Sequence, residues 1–275
     1  MSLLHVERLG KKFGGVNAVE DLSFDIRPGA VYSIIGPNGA GKTTLLNLLT
    51  GVYQPSSGRI VFDGHDMTGR VPYEYARQGI ARTFQNLQVF FNMSALENVM
   101  VGRYLQERSG LARALLRAPG LVRAEQVCRN EAAELMRFVG LQDYLSAASD
   151  AMPYGALKRL EIARALATRP KMMLLDEPAA GLNPTEALEL DDLIGRLTGR
   201  GITVVLVEHN MRLVMGVSDH ILVLDYGRKL AEGSAQAVRN DPKVIAAYLG
   251  GEVSPDSTYG ETVAGAVAHA VEMHR

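Results

Sequence analysis

An α/β fold built around a parallel sheet is the architecture this sequence predicts, and three observations predict it. Val31-Tyr32-Ser33-Ile34-Ile35 is a β-branched run without alternation, as in a strand buried on both faces, and it ends in a glycine-rich turn. From residue 155 onward helical and strand-like stretches alternate, the pattern of crossover connections. The 275 residues, 47% hydrophobic and 21% charged, have an ordinary globular balance. That balance excludes a wholly disordered chain, a collagen-like fibre and a disulfide-stapled miniprotein.

Taken in order, the first sixty residues read mostly as strands. Leu4, Val6 and Leu9 recur near alternate positions, as do Val19, Leu22, Phe24 and Ile26 with one slip. Gly58–Gly64 is a short strand closed by turn residues. Residues 86–150 change character and look helical. Within Arg103–Arg123, five arginines (Arg103, Arg108, Arg113, Arg117 and Arg123) face Glu107 alone, which reads first as a solvated helical face and second as a contact for protein or lipid headgroups. Met172–Leu175, Thr203–Val207 and Ile221–Leu224 are strands, the last followed by the turn Asp225-Tyr226-Gly227. Thr185–Thr198 is a helix with Leu190, Leu193, Ile194 and Leu197 on one face. Residues 1–250 form one domain with a helical part at about 86–160, and residues 251–275 read as a tail that is disordered or weakly helical.

Charge and composition narrow the function classes. Twenty-nine Lys and Arg against 30 Asp and Glu leave no global positive field to hold nucleic acid, although a local patch remains compatible with it. Cys128 stands alone, without a disulfide partner or metal-ligand spacing, which fits the cytosol. No stretch approaches eighteen uninterrupted apolar residues, and the N-terminal residues meet acid and base too early for a signal peptide. Work at a membrane would need another chain to supply the membrane part.

Gly36-Pro37-Asn38-Gly39-Ala40-Gly41-Lys42-Thr43 fits G-x-x-x-x-G-K-[ST] at every fixed position, with a strand before it and Thr44–Leu49 helical after it. Glycines let backbone N–H groups turn toward a polyphosphate, and the helix that follows points its positive end at the anion. Lys42 is placed to bridge the β- and γ-phosphates, and the Thr43 hydroxyl to hold Mg²⁺. Downstream, the apolar strand Met172–Leu175 ends in Asp176 and Glu177. Asp176 is a candidate for Mg²⁺, through water, and Glu177 a candidate to polarise an attacking water.

Further elements then follow in the order of one family. The chain resembles an ATP-binding-cassette (ABC) ATPase from about Leu3 to Leu249, through Arg82-Thr83-Phe84-Gln85-Asn86 (a Q-loop), Met152–Leu166 (a signature segment and its helix), Ala180-Gly181-Leu182-Asn183 (a D-loop) and Val207-Glu208-His209 (a switch histidine). The resemblance implies a P-loop NTPase with a mixed or parallel RecA-like core sheet, an N-terminal antiparallel β subdomain and a helical subdomain. It implies ATP and Mg²⁺ as ligands, with Gln85 near metal and water, His209 holding the γ-phosphate, and ATP touching Gly36–Thr44 of one copy and Tyr154-Gly155 of a second. Phe13 occupies the place of the aromatic that stacks on adenine, and equally fits a strand-end core residue.

Two departures stand out. Pro153 takes the place of the signature serine and Ala156 that of its glutamine; a lost hydroxyl costs about 1 kcal/mol of the ATP clamp. Asn183 stands where the D-loop aspartate is usual. Within the family, Tyr154-Gly155, Arg159–Leu166, Glu177–Pro184 and the arginine-rich insertion near Leu105–Arg123 look like the ATPases of branched-chain amino acid importers. That branch implies two permeases, a second ATPase subunit, a periplasmic binding protein and a peripheral place on the cytoplasmic side of the inner membrane. Related ATPases serve urea import or lipopolysaccharide export. A soluble cassette acting on nucleic acid or ribosomes is the competing class, and a non-hydrolysing regulatory binder a third. The single phosphate loop and the lack of sustained heptads argue against the second class.

Overall fold

The computed structural model describes residues 2–105 and 119–249. The chain opens with β1 (Leu4–Phe13), β2 (Val16–Ile26) and β3 (Val31–Ile35), followed by α1 (Lys42–Leu49), β4 (Ser57–Phe62), β5 (His65–Asp66), α2 (Pro72–Gln78) and β6 (Ile80–Arg82). A helical stretch comes next: α3 (Ala95–Val101), α4 (Pro119–Phe138) and α5 (Tyr154–Ala167). Then β7 (Met172–Asp176), α6 (Pro184–Gly199), β8 (Thr203–Val207), α7 (Met211–Val217), β9 (His220–Asp225), β10 (Arg228–Gly233), α8 (Ala235–Arg239) and α9 (Pro242–Leu249) complete the described fold.

Two sheets result. The first, in the order β2-β1-β4-β5, is antiparallel and comes entirely from the N-terminal strands. The second runs β10-β9-β3-β8-β7-β6, parallel except for β10, which returns antiparallel to β9. The core sheet is therefore mixed, one of the two forms the resemblance implies, because the edge strand β10 returns antiparallel beside the parallel strands the residue pattern predicts.

The absence of alternation in the central strands has a direct cause. Every residue of β3, β7 and β8 is buried, and successive side chains enter opposite cores. Met173, Leu175, Val204 and Leu206 join the core under α3, α4, α5 and α6, whereas Met172, Leu174, Val205 and Val207 join the core shared with β1, β2, β4 and α1. A third, smaller cluster of Ile35, Val214, Ile221, Val223, Val238 and Val244 lies under α7, α8 and α9.

The slips in the N-terminal pattern are a pair of bulges. Arg8 (φ 44°) and Asp21 (φ 50°) are left-handed, and pairing steps from Val6↔Phe24 to Leu9↔Leu22 and then to Lys11↔Val19. Over these two steps each strand carries one extra residue, so the second shift cancels the first and the apolar faces stay together, and a third shift follows between Lys11 and Lys12 near the strand end.

Three expectations change. The short strand begins at Ser57 and ends at Phe62. Between 86 and 94 the chain is irregular, and Arg103 is not a solvated side chain, because it pairs with Glu131 at 2.6 Å while only 12% exposed. The rest of the arginine cluster and the tail 251–275 lie outside the residues whose side chains are described. Elements the sequence reading passed over include β6, too short for a period, β10, a polar edge strand, and the short helices α2, α7, α8 and α9.

Candidate nucleotide site

The loop between β3 and α1 is shaped by glycines that admit no side chain. Gly36 (φ 153°) would bring a Cβ to 2.2 Å from the carbonyl oxygen of Leu224, and Gly41 (φ 96°), the residue before α1, would bring one to 2.4 Å from that of Ala18. Gly39 is also left-handed, but faces open space. Asn38, Gly39 and Thr43 are exposed, Pro37 and Thr44 half-buried, and Ala40 is buried beneath the turn. Lys42 folds back to donate to the carbonyl oxygens of Gly36 (2.6 Å) and Pro37 (2.9 Å). Burial lowers its pKa, with Glu177 and Asp176 opposing that shift.

This cradle fits a polyphosphate: a glycine backbone with left-handed turns, a helix N-terminus and a partly desolvated ammonium held only by carbonyls. Gly41→Ala combines backbone strain with a collision against fixed backbone. We expect it to weaken ATP binding by at least about tenfold and to lower the melting temperature, as isothermal titration and a thermal melt would report.

The carboxylates arrive from the neighbouring strands. β7 and β8 run side by side with Asp176 opposite Val207, and the Glu177 N–H donates to the carbonyl of Val207 at 2.8 Å. Glu177 is itself left-handed (φ 48°), a conformation worth about 1–3 kcal/mol of local strain that concentrates at functional positions. Its Oε2 accepts from Gln85 Nε2 at 2.9 Å and lies 3.7 Å from His209 Nδ1. Gln85, Glu177 and His209, predicted separately from three distant motifs, thus meet at one point.

Asp176 is buried and holds a partner the sequence reading did not foresee. Arg82 Nη2 donates to its Oδ2 at 2.8 Å, and Nη1 of the same guanidinium reaches Asn47 Oδ1 at 2.6 Å on α1. Among the described residues no group of three or more His, Cys, Asp or Glu gathers around a possible ion. A Mg²⁺ held by Thr43, Gln85 and Asp176 would have to take its remaining oxygens from phosphates and water.

The signature segment lies beside the turn after β7. Pro153 is the residue preceding α5, with extended backbone, so its missing N–H interrupts no helix. A Cβ on Gly155 would fall 2.2 Å from Glu186 Oε1, and one on Gly181 3.0 Å from the ring of Tyr154. Asn183 caps α6, accepting from the Glu186 N–H at 3.0 Å while Glu186 accepts from its N–H. The cap survives the change from aspartate because both side chains offer one short acceptor oxygen. Phe13 ends β1 at the surface, 43% exposed, with its ring edge-on to Tyr53 at 5.2 Å. It is not a core residue, and Lys11 Nζ sits over its ring, 4.9 Å from the centroid.

Two more side chains went unnoticed. On α5, Lys158 donates to the carbonyl oxygen of Gln85 at 3.0 Å, and Glu161 Oε1 accepts from the Gln88 N–H at 2.6 Å. Both are buried, one turn apart, and together they fasten the Gln85 segment to the signature helix. Charged residues at i and i+3 among Leu157, Leu160 and Ile162 are the signal that points to them.

Comparison with known proteins shows the family. A family model described as ABC transporter matches residues 19–180, and another described as branched-chain amino acid ATP-binding cassette transporter matches residues 228–254. The chain is 43% identical over 249 residues to the high-affinity branched-chain amino acid transport ATP-binding protein LivG of Escherichia coli (strain K12), covering 90% of this chain and 98% of that protein. BraF of Pseudomonas aeruginosa, described in the same words, matches at the same identity and coverage. Among solved structures, a nucleotide-free ATP-binding cassette from an ABC transporter superposes with a TM-score of 0.79 at 34% identity, over 90% of this chain and 99% of that one. A cassette in its ADP conformation also gives 0.79, at 33% identity over 91% and 99%. With that identity along nearly its whole length, the chain belongs to the ABC transporter family, as an ATP-binding cassette ATPase.

Proposed function

We propose that two copies of this chain, or one copy and a sister subunit, sit on two permeases at the cytoplasmic face of a membrane and power uptake of branched-chain amino acids. The single observation that carries the catalytic part is the meeting of Gln85, Glu177 and His209 beside the phosphate loop. The names of the relatives and the match over residues 228–254 support the cargo. A solute-binding protein that delivers it belongs to the same reading. No helix among the described residues is long and apolar enough to cross a membrane, so the permeases supply the path.

In this reading Phe13, at the surface end of β1, stacks on adenine in place of the Lys11 ammonium that now lies over its ring. Lys42 leaves the carbonyls of Gly36 and Pro37 and turns to the β- and γ-phosphate oxygens, while N–H groups from Gly36 to Thr44 line the anion. The Thr43 hydroxyl, Gln85 and, through water, Asp176 would hold Mg²⁺, which would supply charge neutralisation when bound. Glu177 takes the proton of the attacking water, and His209 beside it holds the γ-phosphate. Tyr154 and Gly155 of a second copy close the site.

The Gln85 segment also borders a groove of about 510 Å³ lined by Val52, Tyr75, Phe84, Phe90 and Arg164. Phe84 and Phe90 are both more than 40% exposed there. A groove with exposed aromatics next to a catalytic loop suits a short permease helix. Phe90→Asp should abolish stimulation of ATPase activity by the permeases and leave the isolated chain's basal rate within about twofold.

The deciding experiment is reconstitution of the chain with its permeases in proteoliposomes, with binding protein added. ATP-dependent accumulation of labelled leucine, isoleucine or valine is expected. Accumulation of urea alone, transfer of lipopolysaccharide alone, or affinity for nucleic acid without transport would each overturn the cargo assignment.

A further inference from the structure

The ends of β7 and β8 each carry a proposed catalytic side chain, Glu177 on one and His209 on the other. Glu208 lies between them and has had no part in the chemistry. It is 1% exposed, an unusual place for a carboxylate.

Both of its oxygens are taken up by backbone N–H groups. Oε1 accepts from Ala179 at 2.7 Å, in the turn that leaves β7. Oε2 accepts from His209 at 3.0 Å and Asn210 at 3.2 Å, in the segment that leaves β8. The turn after β7 is internally braced, with the Ala180 N–H donating to the Glu177 carbonyl and the Leu182 N–H to that of Ala179. It begins at Glu177 and ends at Asn183, the cap of α6. On the other side, Asn210 caps α7. One buried carboxylate therefore bonds to the backbone of both catalytic segments, through charge-assisted bonds that are stronger than neutral ones.

We propose that Glu208 is a positioning residue, which holds the Glu177 turn and the His209 segment in register so that a shift of residues 179–183 is passed to the histidine. The inference rests on the proposed roles of Glu177 and His209. The choice of a carboxylate is chemical: three N–H donors from two directions need acceptors on both oxygens. A glutamine has the same shape but only one acceptor atom, and its NH₂ would face N–H groups on whichever side it occupied.

Glu208→Gln in the full chain, assayed with its permeases, tests this. ATP affinity, set by the phosphate loop, should stay within about twofold, while kcat falls about 10- to 100-fold, the cost of a catalytic group displaced by about an ångström. Amide hydrogen exchange, which needs no turnover, should quicken both at 179–180 and at 209–210. A kcat within about twofold of the parent, faster exchange at only one strand end, or loss of ATP affinity would each overturn the proposal. Glu177→Gln and His209→Ala are measured alongside. Parent-like turnover in those two would sink the site assignment itself, whereas their inactivity with a parent-like Glu208→Gln would sink only the coupling.

Discussion

Glu177→Gln is expected to lower ATP turnover about 10²- to 10⁴-fold, the usual contribution of a general base, while ATP still binds. The amide keeps the side chain's shape and its contact with Gln85, which donates to Glu177 Oε2 at 2.9 Å in the parent. It removes the proton acceptor only. Nucleotide-bound dimers should accumulate, read as a larger species in size-exclusion chromatography with ATP and Mg²⁺, together with near-zero phosphate release. Parent-like phosphate release would remove Glu177 from the mechanism. A rate that falls only because ATP no longer binds would assign it to binding instead.

Arg82→Ala is expected to destabilise the fold by about 3–5 kcal/mol, measured by urea unfolding. The Arg82–Asp176 pair is buried on both sides, with the two side chains 7% and 6% exposed. Removing the guanidinium leaves a carboxylate in a dry environment without its cation, the costly way to break such a pair. Asn47 Oδ1 and Thr50 Oγ1 on the α1 side lose their donor as well. Arg82→Met combined with Asp176→Asn should recover much of the loss, because both charges leave together. A single-variant loss below about 1 kcal/mol would mean that water replaces the guanidinium at Asp176. Because Asp176 is also the proposed partner of Mg²⁺-bound water, the single variant should need more Mg²⁺ for half-maximal turnover.

Much of the site was legible in advance. The phosphate loop is eight consecutive residues whose glycine spacing encodes backbone geometry directly, and Gly36 and Gly41 fall where a Cβ would strike the backbone of Leu224 and Ala18. Asp176 and Glu177 were readable because an apolar strand stopping at two acids is a local pattern. Asn183 stood out in the sequence only as a departure from the usual D-loop aspartate, and the structure makes it a helix cap, in which the acceptor oxygen matters more than the charge. Phe13 had two readings, and its exposure removes the core one.

The sequence by itself determined the α/β class, the three central buried strands, the phosphate loop and the order of motifs along the chain. Each rests on residues close to one another, where spacing and period constrain backbone conformation directly. Only the tertiary structure decided that Arg82 pairs with Asp176 across 94 positions, that Gln85 reaches Glu177 across 92, and that Lys158 holds the Gln85 carbonyl across 73. It also decided that Glu208 turns inward to join two strand ends. A buried charge is indistinguishable from a solvated one in a linear string. Its partners are chosen by which strand lies beside which, and that order follows from crossover connections rather than from neighbouring residues.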